Sequence, residues 1–165
     1  LLMNSSIKCI NRQYKNLSKN PESLFSVELT EDIFTWNIIF FGPIDTIYEN
    51  GIFRAQMNFP KDFPNSPPIV KFIDDIYHPN VYPDGKVCIS ILHDGVDEFG
   101  YESKSERWNP SHSVSSILLS IISMLPSPNF ESPANIDASV LCKDDYDQYK
   151  KKIYNIVSNS LSDLK

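Results

Sequence analysis

The sequence predicts an α+β fold with an N-terminal helix, a small antiparallel sheet and C-terminal helices. Three observations predict it. Apolar residues recur at helical spacing near both ends of the chain, apolar and polar residues alternate between Phe25 and Ile73, and the intervening segments are short and rich in turn residues. Short connections favour an antiparallel meander, because parallel strands need a longer crossover. The order helix, sheet, long loop, helices is typical of an α+β layer arrangement.

The first expected element is a short amphipathic helix. Its apolar face consists of Ile7, Ile10, Tyr14 and Leu17. The helix should end just before Pro21, because a proline disfavours helical geometry at the residue that precedes it.

Four strands are expected next. They cover Phe25 to Leu29, Trp36 to Phe41, Phe53 to Phe59 and Ile69 to Ile73. The third alternates apolar and polar residues almost perfectly, and the second is a continuous run of β-favouring residues. Turn residues separate them at Gly42-Pro43, Asn50-Gly51 and Pro64 to Pro68. The strands should therefore pair in sequential order.

Helices return in the last third of the chain. One apolar stripe runs from Val114 to Leu125, with Pro110 and Ser111 suited to the helix start, and a last helix follows Asp144-Asp145. Between the sheet and these helices lies a long irregular stretch with three of the five glycines. Loops of this length are usually functional, so this segment is where the chemistry is expected.

Composition limits the classes of function. The 165 residues fit one domain, residues 1–165, and 41% hydrophobic with 22% charged residues is typical of a folded globular protein. The net charge of −6 argues against nucleic-acid binding. No apolar run approaches the roughly 20 residues of a spanning helix, so direct membrane insertion is not expected. Three cysteines without a framework, and no secretory signal, predict reduced thiols and a cytoplasmic location.

The long loop contains the candidate nucleophile. It reads His-Pro-Asn from His78 to Asn80, then Gly85, then Cys88. A single cysteine is weak support for catalysis, because cysteine is among the most frequently buried residue types. The residues around it therefore decide the interpretation.

Those residues resemble the ubiquitin-conjugating enzyme family. The His-Pro-Asn tripeptide stands eight residues before a cysteine in a Gly-x-x-Cys setting, and further positions agree in order and spacing from the first helix to the last. They are Gly42-Pro43, Thr46, Tyr48-Glu49, Gly51, Phe53, Phe59-Pro60, Phe63-Pro64, Pro67-Pro68, Trp108 and Pro110. The resemblance implies the ubiquitin-conjugating fold.

The resemblance also implies catalytic roles. Cys88 would hold ubiquitin as a thioester, an activated ester that a lysine amine then attacks. The side-chain amide of Asn80 would stabilise the oxyanion formed in that attack, and an amide is a suitable donor. Alternatively, Asn80 only pins the loop, and the two roles are compatible. His78 is more plausible as a packed anchor than as a proton shuttle.

Two rival sites use the same residues. A papain-like cysteine hydrolase needs a histidine against the thiol, and His78, His93 and His112 are the candidates, although none stands in a hydrolase signature. A thioester carrier has the opposite requirement, since a base that activates water would discharge it. A zinc site from His78, Cys88 and His93 lacks metal-ligand spacing, so no metal is expected.

The segment after Cys88 is longer and more acidic than in most of the family. It contains the run Cys-Ile-Ser-Ile-Leu-His from Cys88 to His93, then Gly-Tyr-Glu ending at Glu102 and Glu-Arg-Trp ending at Trp108. Through these motifs it resembles the subgroup with an acidic active-site loop. Through Tyr82-Pro83-Asp84-Gly85 it most closely resembles the conjugating enzymes of endoplasmic-reticulum-associated degradation. Asp97 and Glu98 could attract a lysine ammonium, and one of them or His93 could accept its proton. The alternative is a solvated loop whose charges only maintain solubility. The resemblance implies polyubiquitin chains that mark proteins for the proteasome.

The family resemblance implies several protein partners and no cofactor, since ATP is used upstream by the activating enzyme. That enzyme would read Lys8 and Lys15 on the first helix, although Cys9 replaces a common basic residue. A RING-type ligase would contact Asn65 together with Asn109, Pro110 and Ser111. Recruitment to the endoplasmic-reticulum surface would come through a partner. A carrier of a ubiquitin-like modifier and a non-catalytic scaffold of the same fold remain alternatives.

Overall fold

The computed structural model describes residues 2–162, and positions 1 and 163–165 of the predicted domain lie outside the described residues. The elements, in chain order, are α1 (Leu2–Lys19), β1 (Phe25–Leu29), β2 (Thr35–Phe41), β3 (Ile52–Asn58), β4 (Ile69–Phe72), a 3₁₀ turn (Ser90–Leu92), α2 (Val114–Met124), α3 (Ile136–Asp144) and α4 (Tyr146–Ser162). The α+β prediction is confirmed. No helix among residues 2–162 has both the length and the hydropathy needed to cross a bilayer.

The four strands form one antiparallel sheet in the order β1-β2-β3-β4, so the predicted meander is confirmed. Residues on one face of the sheet are buried and their neighbours are more exposed, as the two-residue period of a strand requires. Ile38 lies opposite Ala55 and Phe40 opposite Phe53, all four fully buried. This register places the apolar face of the sheet in the core.

The core joins the sheet to the helices. Six residues of α2 are buried in the same cluster as the inner face of the sheet: Val114, Ile117, Leu118, Ile121, Ile122 and Met124. Trp36 of β2 packs edge-on against Tyr14 of α1, with ring centroids 5.7 Å apart. The hydroxyls of Tyr48 and Tyr149 lie 3.0 Å apart and connect the loop between β2 and β3 to α4.

Two helical details differ from the expectation. The predicted start of α2 at Pro110 and Ser111 is wrong, because the cap is Ser113, whose side chain accepts from the backbone N–H of Ser116 at 3.1 Å. Helix α3 was not expected from the sequence. Only Ala138 and Ser139 of α3 are buried, so its apolar residues do not follow the pattern of an amphipathic helix.

The segment after β4 turns sharply before it reaches Cys88. Gly85 has a φ of 97° and donates its N–H to the carbonyl of Tyr82 at 2.8 Å. A β-carbon on Gly85 would lie 2.2 Å from the carbonyl oxygen of Phe72, so only glycine fits. The turn runs the chain back on itself, and the N–H of Cys88 bonds to the carbonyl of Asn80 at 2.9 Å.

Candidate active site

Cys88 lies at the edge of an open cleft. Its side chain is partly exposed, whereas Asn80 beside it is buried. The cleft encloses about 570 Å³ and is lined by residues from three parts of the chain: the Cys88 turn, the acidic loop (residues 93–107) and the segment after α2. The thiol is therefore accessible to a second macromolecule.

His78 lies beneath this turn and is fully buried. Its Nε2 lies 3.0 Å from the carbonyl oxygen of Met124, and its Nδ1 accepts the backbone N–H of Asn80 at 2.9 Å. A carbonyl only accepts, so the ring carries its proton on Nε2. Burial lowers the pKa of His78 to about 4, which keeps the ring neutral. The ring ties the active-site turn to the end of α2 and does not face the sulfur.

Asn80 makes two reciprocal bonds with the segment that follows α2. Its side-chain Nδ2 donates to the carbonyl of Asn129 at 2.8 Å, and its Oδ1 accepts the backbone N–H of Asn129 at 2.8 Å. These two bonds hold the active-site turn in a fixed position relative to the segment after α2. An amide NH₂ has two hydrogens, so one remains for a further acceptor. The pinned position and an oxyanion-binding role are compatible.

His93 lies directly against the nucleophile. Its Nε2 is 3.3 Å from the sulfur of Cys88. The backbone of His93 is held by its own N–H to the carbonyl of Ser90 at 2.9 Å and by the N–H of Trp108 to its carbonyl at 3.0 Å. This contact contradicts the expectation that a thioester carrier keeps a base away from its thiol. Proximity of a histidine to the thiol therefore does not separate a hydrolase from a carrier in this chain. His112, another candidate, instead lies 3.1 Å from the carbonyl of Arg107.

Glu102 is the third residue of this side-chain cluster, after Cys88 and His93. Its carboxylate lies 2.9 Å from Nδ1 of His93, accepts from the hydroxyl of Ser90 at 2.9 Å, and pairs with Arg107 at 2.6 Å. Sequence reasoning did not single out Glu102 or Arg107 as site residues. Both belong to motifs noticed in the acidic loop, Gly-Tyr-Glu and Glu-Arg-Trp, but nothing in their spacing indicates that they converge beneath His93.

The electrostatics of the thiol follow from these contacts. The hydrogen bond from His93 lowers the pKa of Cys88, and a weaker one from the hydroxyl of Tyr82 acts in the same direction. Contact with Cys88, and secondarily with Glu102, raises the pKa of His93 to about 9. The resting pair therefore favours a thiolate beside an imidazolium, the nucleophilic form of cysteine.

The two acidic residues predicted at the site have different surroundings. Asp97 accepts the backbone N–H groups of Phe99 at 2.9 Å and Glu102 at 2.7 Å, and these bonds lower its pKa. Its side chain therefore shapes the acidic loop. Glu98 is exposed to solvent.

The residues predicted to contact partners lie on exposed surfaces. Lys8 and Lys15 are exposed and seven residues apart on α1, hence on one face. Arg12, which sequence reasoning missed, is exposed between them on the same helix and bonds to the sulfur of Cys9 at 3.6 Å. The face therefore has three cations.

The two segments predicted to bind a ligase lie next to each other. The indole N–H of Trp108 donates to the carbonyl of Pro64 at 3.0 Å, which places Asn65 beside the turn that follows Trp108. In that turn the side-chain oxygen of Asn109 accepts from the backbone and hydroxyl of Ser111. Asn65, Pro110 and Ser111 are exposed, and Asn109 is partly buried.

Comparison with known proteins defines the class to which this fold and site belong. The profile of the family described as ubiquitin-conjugating enzyme matches residues 9–157. Ubiquitin-conjugating enzyme E2 13 of Arabidopsis thaliana is 53% identical over 154 residues, which cover 92% of this chain and 93% of that protein. Ubiquitin-conjugating enzyme E2 15 of Schizosaccharomyces pombe is 49% identical over 160 residues, covering 95% and 96%. Ubiquitin-conjugating enzyme E2 G2 of Homo sapiens is 48% identical over 160 residues, covering 95% and 97%.

The chain therefore belongs to the ubiquitin-conjugating enzyme family, as its sequence motifs predict. Its helix, four-stranded sheet and C-terminal helices form the fold of that family, and its enzyme class is that of a ubiquitin transferase.

Proposed function

We propose that this protein accepts ubiquitin from the activating enzyme as a thioester on Cys88 and passes it to a lysine amine. The observation that carries the proposal is a partly exposed, activated thiol in an open cleft, with the amide of Asn80 and the imidazole of His93 lining the same cleft. A thiolate forms the thioester, and a preorganised amide donor stabilises the oxyanion of its aminolysis. Neither step requires a metal or an organic cofactor.

The test is a charging reaction with activating enzyme, ubiquitin and ATP, resolved on a gel with and without thiol reductant. We expect a reductant-labile adduct that is lost in Cys88→Ala. Cys142→Ala is the matched control, because Cys142 is also a partly buried free cysteine, but burial raises its thiol pKa. An adduct that survives in Cys88→Ala and disappears in Cys142→Ala would contradict the proposal.

The same gel separates the alternatives. A carrier of a ubiquitin-like modifier forms no adduct with ubiquitin although the activating enzyme is charged, and forms one with its own modifier. A scaffold forms none with either. The contact between His93 and Cys88 is also compatible with a cysteine hydrolase, which would cleave a ubiquitin ester without activating enzyme or ATP. Family membership favours transfer over hydrolysis.

The activating enzyme is proposed to bind the basic face of α1. Lys8, Arg12 and Lys15 are exposed there and offer three cations to an acidic partner. Reversing the charge of Lys8 and Lys15 should slow charging and leave the discharge of purified, already charged protein unchanged. The double reversal of Lys151 and Lys152, on the exposed side of α4, is the matched control for the same charge change. A charging rate equal to that of the control would contradict this surface.

A RING-type ligase is proposed to bind the surface formed by Asn65, Asn109, Pro110 and Ser111. Trp108 joins its two segments, and Pro110 and Ser111 project from the turn. Replacing Asn65 and Ser111 with bulky acidic residues should abolish ligase-stimulated discharge without affecting charging. Stimulation that survives both changes would place the ligase elsewhere.

The cellular role is proposed to be the building of polyubiquitin chains for proteasomal degradation, with recruitment of a cytoplasmic enzyme to the endoplasmic-reticulum surface through a partner. The support is resemblance to the acidic-loop subgroup. Depletion of the protein should lengthen the half-life of misfolded membrane proteins, and re-expression of Cys88→Ala should not restore their degradation. Restoration by that variant would contradict a catalytic role in this process.

A further inference from the structure

The tautomer of His93 is fixed by its neighbour. Both oxygens of Glu102 lie close to Nδ1 of His93, at 2.9 and 3.0 Å. An ionised carboxylate only accepts hydrogen bonds, so the proton of a neutral ring must be on Nδ1. The lone pair is then on Nε2, which faces the sulfur of Cys88 at 3.3 Å. Glu102 thus directs the basic nitrogen of His93 toward the reaction centre.

Glu102 is itself held in place. The hydroxyl of Ser90 and the guanidinium of Arg107 donate to its two oxygens. Arg107 also donates to the carbonyls of Asp94 at 2.6 Å and Gly95 at 3.1 Å, which closes the acidic loop around the carboxylate. Such a network fixes both the position and the charge of Glu102.

The other ionisable groups near His93 are few among the described residues. Tyr82 and Lys86 line a separate, smaller pocket on the β4 side of the sulfur, and Asp97 and Arg107 line the cleft on the side of the acidic loop. Arg107 forms an ion pair with Glu102, and the carboxylate of Asp97 accepts hydrogen bonds from two backbone N–H groups. The Tyr82 hydroxyl also contacts the sulfur, but it donates its proton there. Among the described residues, His93 is therefore the side chain that can present a basic nitrogen to the reacting sulfur.

We propose that His93 takes the proton from the amine that attacks the Cys88 thioester, and that Glu102 is the positioning residue that holds His93 for this step. The inference rests on the proposed thioester function of Cys88. It distinguishes His93 from Asp97 and Glu98, the other acceptors that the sequence allows.

Aminolysis exchanges the C–S bond of the thioester for a C–N bond. A lysine ammonium first releases one proton to solvent and becomes a neutral amine. Its nitrogen then attacks the thioester carbon, a C–N bond forms and the C–S bond breaks, and the electron pair of the C–S bond goes to the sulfur of Cys88. The second amine proton moves to Nε2 of His93. The products are an amide and a thiolate–imidazolium pair, which is the state that the resting contacts favour.

Acylation of the sulfur prepares His93 for this role. In the resting protein the largest cause of the raised pKa of His93 is its hydrogen bond with Cys88. A thioester sulfur has no charge, so charging removes that cause and the pKa of His93 falls toward neutrality. A base is most effective when its pKa lies near the working pH. Completion of the transfer restores the thiolate and raises the pKa again.

Asp97 is a poorer acceptor for two reasons. Its oxygens already accept two backbone N–H groups, and those bonds lower its pKa and weaken it as a base. Its contribution is to the shape of the acidic loop, because one of these bonds is to the N–H of Glu102.

The test measures discharge of purified charged protein onto free lysine across a pH series, without ligase. Rates are divided by the fraction of free-base lysine, using its pKa of about 10.4. The variants are His93→Gln, Glu102→Gln and the matched control Glu106→Gln. Glu106 belongs to the same loop and loses the same charge, but its carboxylate bonds to Ser103. Melting curves verify that each variant is folded.

We expect the corrected wild-type rate to rise along an acid limb as His93 loses its proton. His93→Gln should abolish the limb and lower the rate about a hundredfold. Glu102→Gln should move the limb to lower pH and lower the plateau roughly tenfold, and Glu106→Gln should match the wild type. An unchanged limb in His93→Gln would overturn the role of His93. Loss of the limb in His93→Gln with no effect of Glu102→Gln would overturn the role of Glu102.

A second readout does not depend on ubiquitin. The rate at which iodoacetamide alkylates Cys88 is measured against pH in the uncharged protein, with mass spectrometry of the Cys88 peptide. The contact with His93 predicts fast alkylation below the ordinary thiol pKa, and His93→Gln and Glu102→Gln should each change the profile while Glu106→Gln should not. If the protein fails to charge but this profile depends on both residues, the carrier function is wrong and the Glu102–His93–Cys88 coupling stands. Profiles identical in all four proteins would overturn the coupling itself.

Discussion

Asn80 and Asn129 are joined by two hydrogen bonds of 2.8 Å in which Asn80 uses its side chain and Asn129 its backbone. The asymmetry matters for mutagenesis. A change of the Asn129 side chain leaves both bonds in place, whereas a change of the Asn80 side chain removes both.

Asn80→Ala is therefore expected to affect both stability and chemistry. Loss of the two hydrogen bonds leaves the backbone groups of Asn129 without these partners and should lower the free energy of unfolding by about 1–3 kcal/mol. Loss of the oxyanion donor should slow discharge onto lysine by about a hundredfold or more, with a smaller effect on charging. Asn129→Ala is the control. If Asn80→Ala lowers the melting temperature but leaves discharge at the wild-type rate, the amide has a structural role and does not stabilise the oxyanion.

Gly85→Ala should destabilise the turn that precedes Cys88. A β-carbon there meets the carbonyl oxygen of Phe72 at 2.2 Å, and the φ of 97° is strained for alanine. We expect a loss of about 2–3 kcal/mol, measured by urea unfolding. Gly95→Ala is the matched control, because Gly95 also has a positive φ, 74°, but its β-carbon meets no atom within 4 Å. Equal losses in the two variants would show that backbone strain, and not the clash, dominates.

The stability of the protein should fall in acid partly through His78. Its pKa is lowered to about 4 in the folded protein by burial, against about 6.5 in an unfolded chain, so the unfolded state binds the proton more readily. The resulting loss begins as the pH falls below about 6.5 and approaches about 3 kcal/mol below pH 4. Denaturant unfolding at pH 7 and pH 4 measures it.

Comparison of variants isolates this contribution from that of the carboxylates. His78→Gln should be less stable than the wild type at pH 7, because the ring fills a buried site, but should lose less stability on acidification. His112→Gln should keep the wild-type pH dependence. A wild-type slope in His78→Gln would mean that burial of His78 does not determine the acid response.

Tyr82→Phe should make Cys88 less reactive at neutral pH. The Tyr82 hydroxyl bonds to the Cys88 sulfur and lowers the pKa of that thiol, although less than His93 does. Removal of this bond should raise the thiol pKa and slow alkylation by iodoacetamide roughly threefold at pH 7. Tyr101→Phe, an exposed tyrosine of the acidic loop, is the control. An unchanged rate in Tyr82→Phe would mean that solvent screens the hydroxyl.

Local patterns in the sequence predict most of the fold. The strands and the helices α1, α2 and α4 bury apolar residues with regular periods, and their boundaries lie within a few residues of the expectation. Helix α3 has no such period, because its exposed side includes Ile136 and Val140. Its assignment depends on tertiary packing, which a local pattern does not contain.

The candidate site was predictable only in part. Cys88 and Asn80 stand in a recognisable motif, and the turn at Gly85 explains how they come together across seven intervening residues. The contacts of Glu102 are different, because they depend on the path of an irregular loop that Arg107 closes. No periodicity relates residues 88, 93 and 102, so only the three-dimensional structure brings them together.

Trp108 gives this geometry a thermodynamic consequence. One residue bonds through its backbone to His93 and through its indole to Pro64, beside the proposed ligase surface. A partner that moves the indole also moves the backbone of His93. Partner affinity and the proton affinity of the imidazole are then linked quantities, so a ligase that prefers one protonation state of His93 must bind charged and uncharged enzyme with different strength.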